Sequence, residues 1–325
     1  REGRRTLGAA VMNKLVIQIP CYNEEATLGV ALRALPRTLR GVDHVEWLVI
    51  NDGSTDRTVE VARAHGVQHI VDLPHHQGLA KAFMAGLEAC LRAGASVIVN
   101  LDADNQYCAD DIPKLVEPIL SGHAEIVIGA RPINHIEHFS QTKKLLQYLG
   151  SWVVRRASNT QTLDATSGFR AISREAAMRL NVFNDYTYTL EMTIQAGRQG
   201  MRVVSIPIRT NGYLRPSRLL KSIPSYLRRS TSIILRTFIT YQPLQFFLWL
   251  GSVPFAVGFA LCVRWLVLFF GGTPRTHLPS LIAAAAFILI GFLLWVLGLV
   301  ANLLAVNRQL LEEIQVRMRR AEYDA

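Results

Sequence analysis

Asp102 and Asp104 stand one residue apart at the end of the apolar run Val97-Ile98-Val99-Asn100-Leu101. Two carboxylates so close disfavour each other's charge unless a cation lies beside them. In a continuing strand, residues i and i+2 share a face, so both would point to one side. With the amide of Gln106 they form a set of hard oxygen donors, which suits Mg2+ or Mn2+ better than zinc and leaves coordination positions for substrate phosphates. Asp-x-Asp alone is equally a polar strand end, or a cap for the helix near Asp110 and Asp111, so the neighbouring elements must decide.

Those elements repeat one pattern. Leu15 to Ile19 is a strand running into Pro20-Cys21-Tyr22-Asn23-Glu24-Glu25 and a helix through Leu39. Val45 to Ile50 is the next strand; it ends at Asn51-Asp52-Gly53-Ser54-Thr55-Asp56, where Ser54 or Thr55 can cap a helix carrying Val59 to Ala64. A strand near His69 to Leu73, a helix from about Gln77 to Leu91, the strand ending at Asp102, a helix over Pro113 to Leu120, a strand over Ile126 to Ala130, a helix over Lys143 to Arg156 and a last strand over Val203 to Ile208 follow. Strands alternating with helices predict an α/β fold with a mostly parallel sheet covered on both faces. Ligands of such sheets bind beyond the carboxyl ends of the strands, where Tyr22, Glu24, Asp52, Asp102 and Asp104 all fall. There, carboxylates can accept hydrogen bonds from a nucleobase N–H and ribose hydroxyls while a metal takes a diphosphate.

At these residues the chain resembles the family 2 nucleotide-sugar glycosyltransferases of GT-A fold, and more narrowly the polyprenyl-phosphate glycosyltransferases that include dolichyl-phosphate mannose synthase. The resemblance covers about Leu15 to Pro207. It implies a Rossmann-like GT-A catalytic domain. Pro20, Tyr22, Glu24, Asp52 and Gly53 would line the nucleoside pocket, and Asp102, Asp104 and Gln106 would hold the metal. Gly78-Leu79-Ala80-Lys81-Ala82 to Gly86 resembles the family's Gly-rich helix start, which brings Gly78 and Lys81 to the donor. An Asn often precedes that block, and this chain has His76.

Gly129-Ala130-Arg131 resembles the family's Gly-x-Arg strand end, and Asp164-Ala165-Thr166-Ser167-Gly168-Phe169-Arg170 its Thr-Ser-Gly-Phe-Arg segment beside the acceptor phosphate. The resemblance therefore gives Arg131, Ser167 and Arg170 to the acceptor phosphate, and Asp104, Arg131, Asp164, Ser167 and Glu191 to catalysis. Relatives often carry Arg just before the Asp; here that position is Leu163, so Arg215 or Arg218 is expected to meet part of the acceptor's charge. Surface ion pairs are the alternative reading of Arg131 and Arg170. Glu191, in Tyr188-Thr189-Leu190-Glu191-Met192, reads as a catalytic base or as the partner of a cation. A lipid phosphate is anionic at neutral pH and needs no base to attack a sugar's anomeric carbon, whereas a hydroxyl acceptor does. With a phosphate acceptor, Asp164 and Glu191 become orienting groups. His135 and His138, around Glu137, have the spacing of a metal pair, but the irregular polar segment after Pro132 reads instead as a loop over the cleft.

Half of the 325 residues are hydrophobic and the formal charge is +10; mean hydropathy is +0.20, which calls for membrane segments. No Asp or Glu occurs between Glu191 and Glu312, whereas Arg215, Arg218, Lys221, Arg228, Arg229 and Arg236 cluster before the apolar C-terminal third. Cations beside a membrane segment fit anionic headgroups or a phosphorylated lipid rather than nucleic acid. Cys21, Cys90, Cys108 and Cys262 are scattered, which indicates neither a disulfide framework nor a thiolate zinc site. Leu244 to Phe270 and Leu278 to Val306 each exceed the roughly 20 residues that span a bilayer, with Gly271 to His277 as the turn of a hairpin. Basic residues flank both outer ends of the hairpin, so both are expected in the cytosol. Arg264, inside the first span, can snorkel to water. Leu310, Leu311, Ile314 and Met318 have helical spacing that suits packing on the catalytic domain or on another subunit.

The expected organisation is a tail over 1–13 with no secretory signal, a catalytic domain over 14–208, juxtamembrane amphipathic helices over 209–242, two transmembrane helices over 243–306 and a cytosolic C-terminal helix over 307–325. The expected activity is transfer of one sugar, with inversion, from a UDP- or GDP-sugar to a polyprenyl phosphate at the cytosolic face of the inner membrane, with Mg2+ or Mn2+ as cofactor and a homo-oligomer as a possible assembly. The alternatives are transfer to a hydroxyl of a glycolipid or glycan, with Asp164 or Glu191 as base, and a non-catalytic nucleotide-sugar-binding membrane module. Two spans hardly make a channel, and no Gln-x-x-Arg-Trp segment stands in the cytosolic part, which disfavours a processive polysaccharide synthase.

Overall fold

The computed structural model describes residues 12–132, 162–182, 188–211, 235–236, 239–271 and 278–323. Residues 1–227 with 315–325 form one compact unit, and 228–314 form a second.

The first unit is built on a seven-stranded sheet. Its strands are β1 (Lys14–Cys21), β2 (His44–Asn51), β3 (His69–Asp72), β4 (Val97–Asn100), β5 (Ile126–Ala130), β6 (Arg170–Ser173) and β7 (Val203–Pro207), in the spatial order β3-β2-β1-β4-β6-β5-β7. The helices between them are α1 (Leu28–Ala34), α2 (Thr58–Ala64), α3 (Leu79–Arg92), α4 (Ile112–Leu120), α5 (Arg174–Arg179) and α6 (Tyr188–Arg198). Successive strand side chains point to opposite faces, and here both faces are covered. Leu15, Ile17, Ile19, Val97 and Val99 pack with Leu28, Leu32 and Leu115 on one side. Val16, Ile50 and Ile98 pack with Phe83, Leu87 and Met192 on the other. Burial on both faces is why these strands read as continuous apolar runs rather than alternating ones.

β1 lies parallel between β2 and β4, so the chain leaves it in one direction and later returns on its other side. The crevice at such a switch point is where open α/β sheets bind ligands. β6 runs antiparallel to both β4 and β5, and its first residue, Arg170, pairs with Asn100, the last of β4. A reversed strand presents its leading turn at the edge where its neighbours end. Residues 164–169 are thereby delivered beside Asp102.

Several local expectations change. α1 ends at Ala34 rather than Leu39, because Leu35 is extended before Pro36. Neither Ser54 nor Thr55 caps α2: the Ser54 hydroxyl accepts from the Asn23 N–H at 2.9 Å, and Asp56 Oδ1 accepts from the Thr58 N–H at 3.0 Å. β6 and α5 are additions; the Ser173 hydroxyl accepts from Ala176 N at 3.2 Å and turns the strand directly into the helix. The helix expected over Lys143 to Arg156 lies outside the described residues, as does most of 209–242.

Two further helices, α7 (Pro243–Phe270) and α8 (Leu278–Tyr323), are long and apolar enough to cross a bilayer. They approach closely through small residues. A β-carbon on Gly258 would lie 2.8 Å from the Ala284 carbonyl oxygen, and one on Gly251 2.8 Å from the Gly291 carbonyl oxygen. Trp295 stacks on Phe255 at 4.7 Å and donates from Nε1 to the Leu248 carbonyl at 3.2 Å. α8 continues through Val306 and Asn307 without a break.

The end of α8 packs on the first unit through polar groups. Arg319 is buried and donates to the Met178 and Leu180 carbonyls at 3.2 and 2.7 Å. Arg174 donates to the Tyr323 carbonyl at 2.7 Å, and Arg320 pairs with Glu175. Leu310, Leu311, Ile314 and Met318, offered by sequence as packing residues for the catalytic domain or another subunit, stand 55, 67, 55 and 68 % exposed.

Candidate active site

On one side of the crevice, Asp52 follows β2 and is buried, and its backbone N–H donates to the Cys21 carbonyl at 2.9 Å. Its carboxylate receives the Gln77 N–H at 2.7 Å, the Gly78 N–H at 2.9 Å and His76 Nδ1 at 2.8 Å. Facing a carboxylate, Nδ1 is the protonated nitrogen of the ring. The His76 ring stacks on Tyr22, centroids 3.9 Å apart. Asp52 is thus the hub that fixes the turn before α3. Gly53 makes room for that turn: its φ is +66°, and a β-carbon there would lie 2.5 Å from both His75 C and His76 N. Gly78, with φ 95°, starts α3, and Lys81 stands exposed in its first turn.

Gly53→Ala is accordingly expected to weaken binding of UDP or GDP at least tenfold. Left-handed backbone costs a residue with a β-carbon roughly 1–2 kcal/mol, before any overlap with the 75–76 backbone. Calorimetric titration with both nucleotides, alongside a melting curve to confirm folding, checks this. Unchanged affinity for both would separate the 52–78 cluster from the nucleotide pocket.

The loops after β1 and β2 brace each other. Asn23, at φ 52°, takes the Thr55 N–H on its Oδ1 at 2.8 Å, and Asp56 Oδ2 takes the Glu25 N–H at 3.0 Å. Glu24 is buried, its N–H donating to Thr58 Oγ1 at 2.9 Å while its Oε2 accepts from Thr27 Oγ1 at 2.7 Å. Pro20 is buried within β1. It lies beyond the last β1–β4 pair, Gln18 with Asn100, so its missing N–H removes no bond from that ladder.

At the centre, the strand does not continue through Asp102 and Asp104 as the alternation argument assumed; β4 stops at Asn100. Asp104 sits in a turn instead, where its Oδ1 accepts from Gln106 N at 3.0 Å and Asn105 adopts φ 57°. Asn211 clamps the outside of that turn, donating from Nδ2 to the Asn105 and Tyr107 carbonyls at 3.0 and 3.1 Å and from its N–H to the Gln106 carbonyl at 2.8 Å. Asp102 lies against the Gly168 backbone, so closely that a β-carbon on Gly168 would come within 2.7 Å of Oδ2. Burial, then the Asp104 charge, pushes Asp102 up to about 6 against the opposing pull of Arg131.

The donor chemistry fits a divalent cation. The Asp104 and Glu24 carboxylates repel the charge on Asp102. Among the described residues no group of three or more His, Cys, Asp or Glu gathers as a closed metal cage. An open oxygen site completed by substrate phosphates is how Mg2+ is usually held in phosphate-handling enzymes.

On the other side, Arg131 follows β5 and grips Asp164 with two bonds, Nε to Oδ2 at 2.7 Å and Nη2 to Oδ1 at 3.1 Å. Nη2 also donates to Thr166 Oγ1 at 2.8 Å. Among the described residues Nη1 of Arg131 has no hydrogen-bond partner. Asp164 is fully buried and takes two further bonds on Oδ1, from Thr166 N at 3.2 Å and Thr166 Oγ1 at 2.9 Å. Burial raises its pKa, but the Arg131 and Thr166 bonds prevail and hold it below the ordinary carboxylate range.

Arg170 departs from its expected place. It is wholly buried and donates to the Ser167 carbonyl at 2.8 Å, the Ala165 carbonyl at 2.7 Å and Thr193 Oγ1 at 3.0 Å. It props the 164–168 turn from beneath instead of facing an incoming phosphate, and it is not a surface ion pair either. Ser167 is likewise fully buried, its Oγ accepting from Phe169 N at 3.3 Å. Glu191 is buried in the first turn of α6. Arg215, Arg218, His135 and His138 lie outside the described residues.

Residues without a motif complete the floor. Asn100 donates from Nδ2 to the Gly168 carbonyl at 2.8 Å and to Tyr188 Oη at 3.1 Å, and its Oδ1 accepts from Gln18 Nε2 at 3.0 Å. Tyr107 Oη accepts from Gly168 N at 3.0 Å. Gly168 is thus held by Asn100 and Tyr107 on its two backbone groups, with the Asp102 carboxylate at its α-carbon.

The model of Glycosyl transferase family 2 matches residues 16–180, a stretch that runs from β1 through Asp52, Asp102, Asp104, Arg131 and Asp164. The chain belongs to this family. Among curated relatives of this family 2 glycosyltransferase, the undecaprenyl-phosphate mannosyltransferase of Micrococcus luteus is 28% identical over 200 residues, covering 58% of this chain and 80% of the relative. The UDP-N-acetylglucosamine–dolichyl-phosphate N-acetylglucosaminyltransferase of Methanococcus voltae is 26% identical, over 59% of this chain and 83% of the relative. Among solved structures, glucosyl-3-phosphoglycerate synthase from Mycobacterium tuberculosis, crystallised with Mn2+, UDP and glucosyl-3-phosphoglycerate, matches with a TM-score of 0.52 at 22% identity, covering 70% of this chain and 80% of that one. That likeness shows the shared GT-A fold.

Proposed function

We propose that this family 2 glycosyltransferase moves a single sugar from a UDP- or GDP-sugar to a polyprenyl phosphate at the cytosolic face of the membrane, with inversion. The observation that carries the choice of acceptor is the state of Asp164. Its carboxylate is saturated by Arg131 and Thr166 and its pKa is lowered, which makes it a poor proton acceptor. A phosphate oxygen, already anionic, requires none. The relatives named for undecaprenyl phosphate and dolichyl phosphate point the same way.

In this reading the Asp52–Gly53–His76–Gly78 cluster with Tyr22, Pro20 and Glu24 receives the nucleoside, and Lys81 faces the donor. Asp102, Asp104 and Gln106 would hold Mg2+ or Mn2+, which supplies positive charge to the departing diphosphate. Arg131, fixed in angle by Asp164, turns its remaining Nη1 toward the acceptor phosphate, and Arg215 and Arg218 add charge from the juxtamembrane stretch. Arg170, Ser167, Asn100 and Tyr107 keep the 164–168 turn against Asp102. Glu191 acts as an orienting group rather than a base. The domain limits follow the same scheme, with the catalytic part over 14–208 and membrane helices over 243–306.

α7 and α8 form the hairpin anchor of a multi-pass inner-membrane protein. Arg228, Arg229 and Arg236 precede it, Arg308, Arg317, Arg319 and Arg320 follow, and the turn carries only Arg275. That asymmetry puts both ends of the hairpin in the cytosol.

The test is a panel of labelled UDP- and GDP-sugars given to membranes with Mn2+ and either polyprenyl phosphate or the corresponding polyprenol. Label is expected in the organic phase with the phosphate alone. Transfer to the polyprenol, or label only with a glycan acceptor, would overturn the phosphate reading.

A further inference from the structure

We propose that Asn211 is a positioning residue for the cation site, setting metal affinity by aiming the Gln106 N–H at the Asp104 carboxylate. The proposal rests on the reading above in which Asp102, Asp104 and Gln106 hold the metal. Asn211 itself stands beyond the matched stretch 16–180.

Three consecutive carbonyls of the turn converge on this one residue. Asn211 Nδ2 donates to the Asn105 carbonyl at 3.0 Å and to the Tyr107 carbonyl at 3.1 Å, and the Asn211 N–H donates to the Gln106 carbonyl at 2.8 Å. In a planar trans peptide, the C=O of one residue and the N–H of the next point in opposite directions. The Asn105 carbonyl, directed at Asn211, therefore sends the Gln106 N–H the other way, to Asp104 Oδ1 at 3.0 Å. Rotating that peptide would break both bonds at once. The turn needs such a hold, because Asn105 has φ 57°, and left-handed backbone in a residue with a β-carbon persists where its surroundings impose it.

The clamp is itself anchored. The Arg209 N–H donates to Asp111 Oδ2 at 2.7 Å, and its Nη2 and Nε donate to Asp111 Oδ1 at 2.9 and 3.1 Å. Asp111 is buried just before α4. The Arg209 carbonyl accepts from Cys108 N at 3.3 Å, and Thr210 forms an antiparallel bridge with Tyr107. Residues 209–211 thus lie along 106–108 as a short strap. Tyr107 carries the hold further, since its Oη accepts from Gly168 N at 3.0 Å and Gly168 packs against Asp102. Asn211 bears on Asp104 through the Gln106 N–H, and on the neighbour of Asp102 through Tyr107. Loss of a group that orients a metal's ligands typically lowers affinity by about ten- to a hundredfold.

The experiment uses the full chain in nanodiscs of zwitterionic lipid, with Mn2+ binding in the presence of UDP read from the electron spin resonance of the free ion. Asn211→Ala is expected to weaken Mn2+ by about tenfold or more, while UDP affinity without metal stays as in the wild type. The Mn2+ concentration needed for half-maximal transfer should rise, and saturating Mn2+ should restore kcat, because the bound ion resets the turn. If Asn211→Ala does not fold, Asn211→Ser, which keeps one donor for two carbonyls, carries the test with the same sign. Arg179→Ala is the control for general loosening: it loses bonds to the Gln199 carbonyl and to Glu125, at the opposite end of β5 from Arg131. Unchanged Mn2+ affinity at position 211, beside an Asp104→Asn chain that has lost the ion, overturns the proposal and leaves the metal reading standing. Unchanged affinity in both variants removes the metal reading and the proposal with it. Equal weakening by Arg179→Ala also overturns the proposal, since the effect would then be one of stability alone.

Discussion

Asp104→Asn should remove nearly all transfer of label to polyprenyl phosphate, by about a hundredfold or more in kcat/KM, the scale on which losing one group that stabilises developing charge is felt. Asp104 does two things: its Oδ1 takes the Gln106 N–H, and its charge adds to the crowding that lifts Asp102 to about 6. An amide oxygen can still accept from Gln106, so the Asn variant keeps the turn and loses only the charge. Its melting temperature should therefore hold or rise as the repulsion on Asp102 is relieved. Mn2+ affinity in the presence of UDP should fall with activity. Activity within threefold of wild type would remove Asp104 from any metal site, whereas Asp104→Ala, which also drops the turn bond, could not make that distinction.

Arg131→Ala is expected to cost about 3–5 kcal/mol of stability, the range seen when one member of a buried ion pair is deleted and the other is left behind. Asp164 side-chain exposure is 1% and that of Arg131 16%, so solvent cannot take over the orphaned carboxylate. Urea unfolding of the solubilised chain measures the loss. Arg131→Ala combined with Asp164→Ala should recover part of it, because no unpaired charge remains. The pH dependence has a defined sign. Asp164 has a lowered pKa in the folded chain, so its contribution is complete above the unfolded carboxylate value of about 3.9 and drains away as pH falls through the folded value. Wild-type stability should thus drop below about pH 4 more steeply than that of the double variant. A loss under about 1 kcal/mol for Arg131→Ala would place the pair among exposed, weakly coupled ones.

The sheet was legible because its strands are buried on both faces and bounded by Gly, Asn and Asp, so that the apolar runs at Leu15, Val45, Val97 and Ile126 stand out without any partner being known. The Asp-x-Asp motif was read through strand alternation, whereas β4 ends at Asn100 and Asp102 and Asp104 are associated through a turn. β6 was hidden inside a segment noticed only for its polar residues, and its four residues are too few to show a period. Charge alone could not reveal that Arg131 reaches the cleft while Arg170 is sealed beneath it. Arg131 follows β5 and meets the Asp164 carboxylate, whereas Arg170 opens β6 and is wholly buried against the Ser167 and Ala165 carbonyls. Gln18, Asn100, Tyr107 and Asn211 carry no motif, and their roles arise from pairings between residues far apart in the chain. The Leu311 and Met318 stripe was visible as helical spacing, whereas the bonds of Gln315 and Arg319 to Asn181, Met178 and Leu180 carry no motif.

The direction of β6 also bears on the order in which the protein can mature. β4 is flanked by β1 on one side and by β6 on the other, and β6 leaves the ribosome long after its neighbour. Until then Val97 to Asn100 present a bare hydrogen-bonding rim, the kind of template that invites pairing with foreign chains. Closing that rim and bringing Gly168 against Asp102 are therefore one event.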